Sequence, residues 1–113
     1  MSPDLQRIFR IKEYCEEIQK TVARYGNNFE AFDADLDFQR SVAFSILQIG
    51  ELGASLSESF KEATNDKIPW GAIKGMRNWM VHNYGNMSRD VIWQTIQEDI
   101  PLLLEFCKET IEE

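Results

Sequence analysis

The amino-acid sequence predicts an all-α protein, an antiparallel four-helix-type bundle whose C-terminal helix is kinked or broken. Apolar residues recur at alternating spacings of three and four over several long segments, as they do along one face of an α-helix. Residues that begin or end helices flank these segments, and no segment shows the alternation of a strand. A chain of 113 residues has room for one domain, so we expect a single domain spanning residues 1–113.

The first helix is predicted from about Pro3 to Tyr25. Ser2 suits the N-cap, and Pro3 suits the first turn because the N–H group that proline lacks is not needed there. Gly26 supplies turn chemistry at the other end. The predicted core face consists of Ile8, Ile11, Cys15, Ile18, Val22 and Tyr25.

The second helix is predicted to begin near Asp35 and to continue to about Leu56, after an acidic connection over residues 26–35. Gly50 and Gly53 each weaken a helix by up to about 1 kcal/mol relative to alanine. We therefore expect a neighbouring helix to pack closely against them. Residues 57–68 are polar and without a clear period, which favours a loop with at most a short helical turn.

The third helix is predicted from Pro69 to Asn83 or Tyr84, since Pro69 suits a first turn and Gly85 a helix stop. At about 100° per residue, an apolar stripe should face the core. It comprises Ile73, Met76, Trp79 and Met80. The opposite side collects Lys74, Arg77, Asn78, Val81 and His82, with Gly71 and Gly75 close by. These glycines leave room for a ligand or another backbone.

The fourth helix is predicted to begin after Ser88 as N-cap, with Met87 and Ile92 positioned as a hydrophobic staple. Pro101 has no N–H group to donate to Gln97 and crowds its carbonyl, so the helix should kink or restart there. Residues 102–111 then form a last helical piece.

Charge is unevenly distributed along the chain. The net charge is −7, with 19 acidic and 12 basic residues, yet residues 67–89 contain no acidic residue and four basic ones. The net charge argues against broad nucleic-acid binding, whereas a local basic island suits a phosphate. The alternative is that Arg77 merely caps a helix or forms an ion pair. No apolar run is long enough to span a membrane and the N-terminal residues resemble no targeting signal, so we expect a cytoplasmic protein without a membrane partner.

Other residues that could bind a ligand have simpler explanations. Cys15 and Cys107 lack metal-ligand spacing and fall at apolar helical positions, which favours buried thiols over a disulfide or a metal pair. The tryptophans could stack on bases, but their helical phases favour core packing. They are Trp70, Trp79 and Trp93. The single histidine has no clustered carboxylates within the acid-free stretch, so no metal or other cofactor is expected.

Arg77, His82 and Tyr84, with Asn78 directly after the arginine, form the pattern R-x4-H-x-Y. This pattern resembles the signature of HepT-like toxins in the HEPN superfamily. The flanking segments IPWGAIKGMRNWMVHNYGNM, VIWQTIQEDIPLLLEF and ILQIGELG also resemble that family, and the resemblance extends from about Leu5 to Phe106. It implies a HEPN-like helical domain and a metal-independent endoribonuclease.

The same residues suit RNA cleavage on chemical grounds. His82 can act as base or acid near neutral pH, and Arg77 offers a fixed charge and a fork of donors for phosphate oxygens. Asn78 could orient the imidazole or donate to phosphate, or be a simple surface amide, and Lys74 could contact phosphate or be a solvated lysine. Arg77 and His82 lie about 140° apart on a helix, so one copy does not easily bring them together. The resemblance implies a homodimer whose two motifs form one composite cleft.

For Tyr84, the sequence alone favours an interfacial tyrosine with an exposed hydroxyl. The resemblance instead implies that Tyr84 accepts AMP from a minimal nucleotidyltransferase antitoxin, in a type VII-like toxin–antitoxin system whose toxin cuts an RNA such as tRNA or mRNA. Glu51 could pair with Arg77 or lie at a dimer seam, and we assign it no catalytic role. A different class of function stays open, namely a non-catalytic helical subunit that binds a nucleotide or a partner and recruits a nucleotidyltransferase.

Overall fold

The computed structural model describes residues 1–83 and 88–112, with the backbone alone described at positions 82 and 83. These residues form an all-α bundle without a β-strand. The helices are α1 (Pro3–Tyr25), α2 (Phe29–Ala34), α3 (Leu36–Ala54), α4 (Glu58–Thr64), α5 (Trp70–Asn83), α6 (Arg89–Gln94), a π-helical segment (Thr95–Asp99) and α7 (Ile100–Glu112). Among the described residues, no helix has the length and apolar character needed to cross a membrane.

The first helix has the predicted bounds. The Ser2 hydroxyl accepts a hydrogen bond from the Leu5 N–H group at 3.1 Å, and Gly26 ends the helix with a φ of 117°, a conformation that favours glycine. The buried residues of α1 are Ile8, Ile11, Cys15, Ile18 and Val22. The face predicted from spacing is therefore confirmed, except that Tyr25 is partly exposed and stacks on Phe38.

The acidic connection before α3 differs from the expected loop because it contains the short helix α2. The Asn28 side chain caps it by accepting from the Ala31 N–H group at 2.8 Å. Phe32 is fully buried, and its ring lies 5.1 Å from that of Phe38 and 5.4 Å from that of Trp93. Six residues are too few to show a helical period, so α2 depends on this tertiary contact.

The helix after α2 begins where the sequence predicted. The Asp35 carboxylate accepts from the N–H groups of Asp37 and Phe38 and caps α3. Residues 57–68 contain more helix than expected, because α4 forms there with Ser57 as N-cap. Ser57 also donates its N–H and its hydroxyl to the Asp4 carboxylate, and these bonds hold the pKa of Asp4 below its usual value.

The predicted break near Pro101 takes the form of the π-helical segment just before it. The Ile100 N–H group bonds to the carbonyl of Thr95, five residues back, instead of four. Pro101 cannot donate the next helical bond, so a wider turn before it relieves the crowding. Ser88 caps α6 by accepting from the Val91 N–H group, whereas the Met87 staple lies outside the described residues.

The core lies between α1, α3 and α7, and α5 packs against α3 and contributes the buried Trp70 and Met80 to the core. Cys15 and Cys107 are free and buried in this core, which confirms the predicted buried thiols. Burial raises the pKa of both thiols, that of Cys107 to about 12, so neither is a reactive thiolate at neutral pH.

Candidate functional site

Helix α5 carries the residues of the R-x4-H motif, and its first turn is anchored firmly. The Pro69 carbonyl accepts from the N–H groups of Ala72 and Ile73, as expected for a proline at a helix start. Trp70 is buried, and its indole Nε1 donates to the Thr64 hydroxyl at 2.9 Å. The start of α5 is therefore fixed to α4.

The covered side of α5 differs from the predicted stripe at Trp79. Met80 is 1% exposed, and Ile73 and Met76 are partly buried against the core, as expected. Trp79 is 36% exposed, so its predicted core position is wrong. The reason is that α3 contacts the side of α5 that includes Trp70 and Arg77, which leaves Trp79 at the edge of the covered side. Trp70 and Trp93 pack on the core as predicted.

The Arg77 guanidinium is held by two neighbours. Its Nε donates to Oε1 of Glu51 at 2.7 Å, and its Nη2 donates to the same oxygen. Its Nη1 donates to Oδ1 of Asn78 at 2.7 Å. The side chains of Arg77 and Glu51 are 31% and 51% exposed, so the pair is accessible to a ligand. The sequence left two roles open for Glu51, an ion pair with Arg77 or a place at a dimer seam. The structure shows the ion pair with Arg77.

The backbone of α3 lies directly against the stem of Arg77. A Cβ atom at Gly50 would lie 2.4 Å from Cβ and 2.8 Å from Cγ of Arg77, far inside contact distance. A Cβ atom at Gly53 would lie 3.4 Å from the Trp70 ring. The close helix packing predicted at these glycines is confirmed. The sequence offered the glycines flanking Glu51 as a signal, but it did not show that they bring Glu51 to Arg77.

The other side of α5 is open. A Cβ atom at Gly71 or Gly75 would meet no described atom within 4 Å, and Lys74 and Val81 are exposed. A shallow groove of about 240 Å³ lies beside Lys74, between the start of α5 and α4. Its lining includes Lys61, Asn65, Gly71 and Lys74. Lys74 and Asn78 thus share an accessible face next to the Arg77 guanidinium.

Two predicted site residues are not tested by this geometry. The backbone of His82 belongs to α5, but its side chain lies outside the described part of the structure, as does all of Tyr84. The pairing of Arg77 with His82 and the accessibility of Tyr84 therefore stay predictions. Among the side chains that the structure describes, those of residues 1–81 and 88–112, no group of three or more histidine, cysteine or acidic residues is arranged to hold a metal ion.

Comparisons with known proteins show the family to which this chain belongs. The model of the family described as Ribonuclease HepT-like matches residues 11–110. A candidate RNase of Caldanaerobacter subterraneus subsp. tengcongensis is 34% identical over 102 residues, which cover 90% of this chain and 88% of that protein. The probable ribonuclease HepT of Thermococcus cleftensis is 31% identical over 99 residues, covering 88% of this chain and 84% of its own length. No solved structure gives a significant match.

Proposed function

Because the chain belongs to the HepT-like ribonuclease family, and is therefore a ribonuclease, we propose that it is a metal-independent endoribonuclease that acts as the toxin of a type VII-like toxin–antitoxin system. The observation that carries the proposal is the Arg77 guanidinium, fixed by Glu51 and Asn78 on an accessible face of α5. The substrate is RNA, such as tRNA or mRNA, in the cytoplasm. The catalytic unit is a single HEPN-like domain over residues 1–113.

Four side chains have roles in the proposed cleavage of RNA. His82 takes the proton of a ribose 2′-hydroxyl, and the 2′-oxygen attacks the adjacent phosphorus. The bond to the 5′-oxygen breaks as that oxygen takes the proton back from the imidazolium, which leaves a 2′,3′-cyclic phosphate and a 5′-hydroxyl. Arg77 stabilises the negative charge that develops on the phosphorane oxygens. The side-chain oxygen of Asn78 accepts a hydrogen bond from Arg77. Its amide N–H groups can therefore donate to phosphate or to the imidazole. Lys74 contributes a further positive charge on the same face.

The active form is a two-fold symmetric homodimer. Arg77 and His82 are separated by about 140° around an ideal helix, so one protomer presents them in different directions. The open face of α5 offers a surface at which a second copy can approach. Within the described part of the chain, no atom lies within 4 Å of where a Cβ atom would be at Gly71 or Gly75, and Trp79 is partly exposed. Two protomers joined there bring two motifs into one groove.

A minimal nucleotidyltransferase is the proposed antitoxin, and Tyr84 is its target. Tyr84 directly follows Asn83, the last residue of α5, and is two residues from His82. Transfer of AMP to its hydroxyl would put phosphate charge beside the RNA site, where it competes with the substrate for Arg77. The likeness of the motif to the HepT-like signature supports this part of the proposal.

Cleavage of a mixed RNA substrate in excess EDTA tests the activity. The wild-type protein, expressed without a nucleotidyltransferase, should cut RNA in EDTA, and the His82→Ala and Arg77→Ala proteins should not, because base and phosphate contacts are lost. Lys20→Ala, an exposed change on α1, serves as control and should cut normally. Tight binding of RNA or nucleotide without cleavage by the wild-type protein would favour the non-catalytic subunit instead.

Intact-mass spectrometry after co-expression with the proposed minimal nucleotidyltransferase antitoxin tests the regulation. The wild-type chain should gain the mass of one or more AMP groups and lose activity. Tyr84→Phe should gain none, because it lacks the acceptor hydroxyl. AMP on the Phe variant, or on Tyr14 or Tyr25, would reject Tyr84 as the acceptor.

A further inference from the structure

The N–H donors of the Arg77 guanidinium are only partly used by hydrogen bonds within the described part of the protein. A guanidinium has five N–H donors in one plane. Nε and Nη2 each give one to the Glu51 carboxylate, and Nη1 gives one to Asn78. Within the described part of the chain, this leaves one N–H on Nη1 and one on Nη2. These two nitrogens form the end of the fork, which matches two oxygens of a phosphate group.

The stem of the same side chain is fixed as well. Gly50 brings the α3 backbone against Cβ and Cγ of Arg77, and Glu51, the next residue, reaches the guanidinium from that backbone. One helix therefore contacts both the stem and the charged end of the arginine. Because the stem and the charged end are constrained from the same helix, the direction of the fork is set before RNA binds.

We propose that Glu51 is a positioning residue for the RNA cleavage described above: its carboxylate orients the Arg77 guanidinium so that Nη1 and Nη2 face the scissile phosphate. The inference rests on the proposed ribonuclease site. Glu51 itself does not touch RNA in this arrangement. Its negative charge weakens the attraction of Arg77 for the singly charged phosphate of the substrate, but the phosphorane carries more charge and depends more on the oriented fork.

This balance distinguishes positioning from two other roles. If Glu51 merely competed with RNA for Arg77, its removal would strengthen RNA binding and raise activity. If it merely linked α3 to α5, its removal would lower stability and leave the kinetic constants unchanged. If it positions Arg77, its removal lowers kcat, leaves KM nearly unchanged, and an uncharged side chain that can still accept from Nε and Nη2 restores most of the rate.

The experiment compares Glu51→Ala, Glu51→Gln and the control Asp33→Ala. Asp33 forms a second arginine–carboxylate pair between helices, with Arg89, and is exposed to a similar extent as Glu51. Its loss therefore reports the effect of removing an ion pair away from Arg77. RNA cleavage is measured in EDTA to give kcat and KM, and thermal unfolding is measured on the same samples.

We expect Glu51→Ala to lower kcat by about tenfold to a hundredfold, with KM changed by less than about threefold, since misplacing a catalytic group by about 1 Å costs that much. Glu51→Gln should stay within about fivefold of wild type, because a neutral acceptor keeps the geometry with a weaker bond. Glu51→Ala and Asp33→Ala should unfold at similar temperatures, since exposed ion pairs contribute little to stability. Asp33→Ala should keep its kcat.

Other results overturn the inference. A Glu51→Ala protein with wild-type kcat, or with a lower KM and a higher rate, shows that Glu51 does not position Arg77. A Glu51→Gln protein as impaired as Glu51→Ala shows that the charge, and not the orientation, is needed. These outcomes differ from failure of the proposed function, in which the folded wild-type protein does not cleave RNA or Arg77→Ala cleaves it normally.

Discussion

The two sides of α5 use glycine in different ways. On the covered side the glycines belong to α3, and Gly50 lets that helix approach until its backbone touches the Arg77 stem. On the open side Gly71 and Gly75 belong to α5 itself, and no described residue comes within 4 Å of where their Cβ atoms would be. Each weakens α5 by up to about 1 kcal/mol relative to alanine, and no close contact among the described residues accounts for it. Gly50 therefore has a role within one protomer, because it allows α3 to contact Arg77. Gly71 and Gly75 are better explained by a second molecule that packs against the open side of α5.

Gly50→Ala should have the largest effect, because it breaks the contact that defines the covered side. A methyl group there would lie 2.4 Å from Cβ of Arg77, so α3 and α5 must separate. The strain should exceed the gain in helix propensity and lower the free energy of unfolding by about 1–3 kcal/mol. The melting temperature should fall, and RNA cleavage should be lost as Arg77 moves away from Glu51.

Gly53→Ala is the matched control for this change. Its Cβ would lie 3.4 Å from the Trp70 ring, a contact that small shifts can accommodate. We expect its melting temperature to stay close to that of the wild type, measured by circular dichroism. Equal stability of Gly50→Ala and Gly53→Ala would mean that the close approach at Gly50 is not needed to hold Arg77.

Trp79→Ala should have the next largest effect, on association. If the open side of α5 is the dimer seam, Trp79 is its large apolar anchor, and removing such an anchor commonly costs more than 1 kcal/mol. We expect the dimer dissociation constant, measured by sedimentation velocity, to rise by about tenfold or more. Leu36→Ala, at an exposed apolar residue that begins α3, is the control and should leave the constant unchanged. A Trp79→Ala dimer as tight as the wild type would move the seam elsewhere.

Gly75→Ala should have the smallest effect, and it should be stabilising. Since none of the residues that the structure describes comes within 4 Å of the added methyl group, the helix should gain up to about 1 kcal/mol in propensity when the protein is dilute enough to be monomeric. Chemical denaturation at low protein concentration measures this gain. A loss of stability under those conditions would show that the open side is covered within the protomer. Gly50→Ala is the control in the same assay, because it should lower the free energy of unfolding that Gly75→Ala raises.

Local sequence signals predicted most of the helix boundaries. The caps at Ser2, Asp35 and Ser88 bond to N–H groups only two or three residues ahead, so they can be recognised without knowing the fold. The apolar period of α1 likewise selects one face by local geometry. The pattern of Arg77, His82 and Tyr84, together with the segments that flank it, indicated the family that the comparisons then showed.

The tertiary structure decided the features that depend on more distant parts of the chain. Helix α2 is too short to show a period and depends on the burial of Phe32, and the exposure of Trp79 depends on which side of α5 meets α3. Glu51 and Arg77 are 26 residues apart, and neither spacing nor composition orients one toward the other. The sequence by itself determined where the longer helices begin and which residues carry the motif, because those signals act within a few residues. Only the packing of α3 against α5 determined which side chain holds the arginine, since that contact depends on how two whole helices meet.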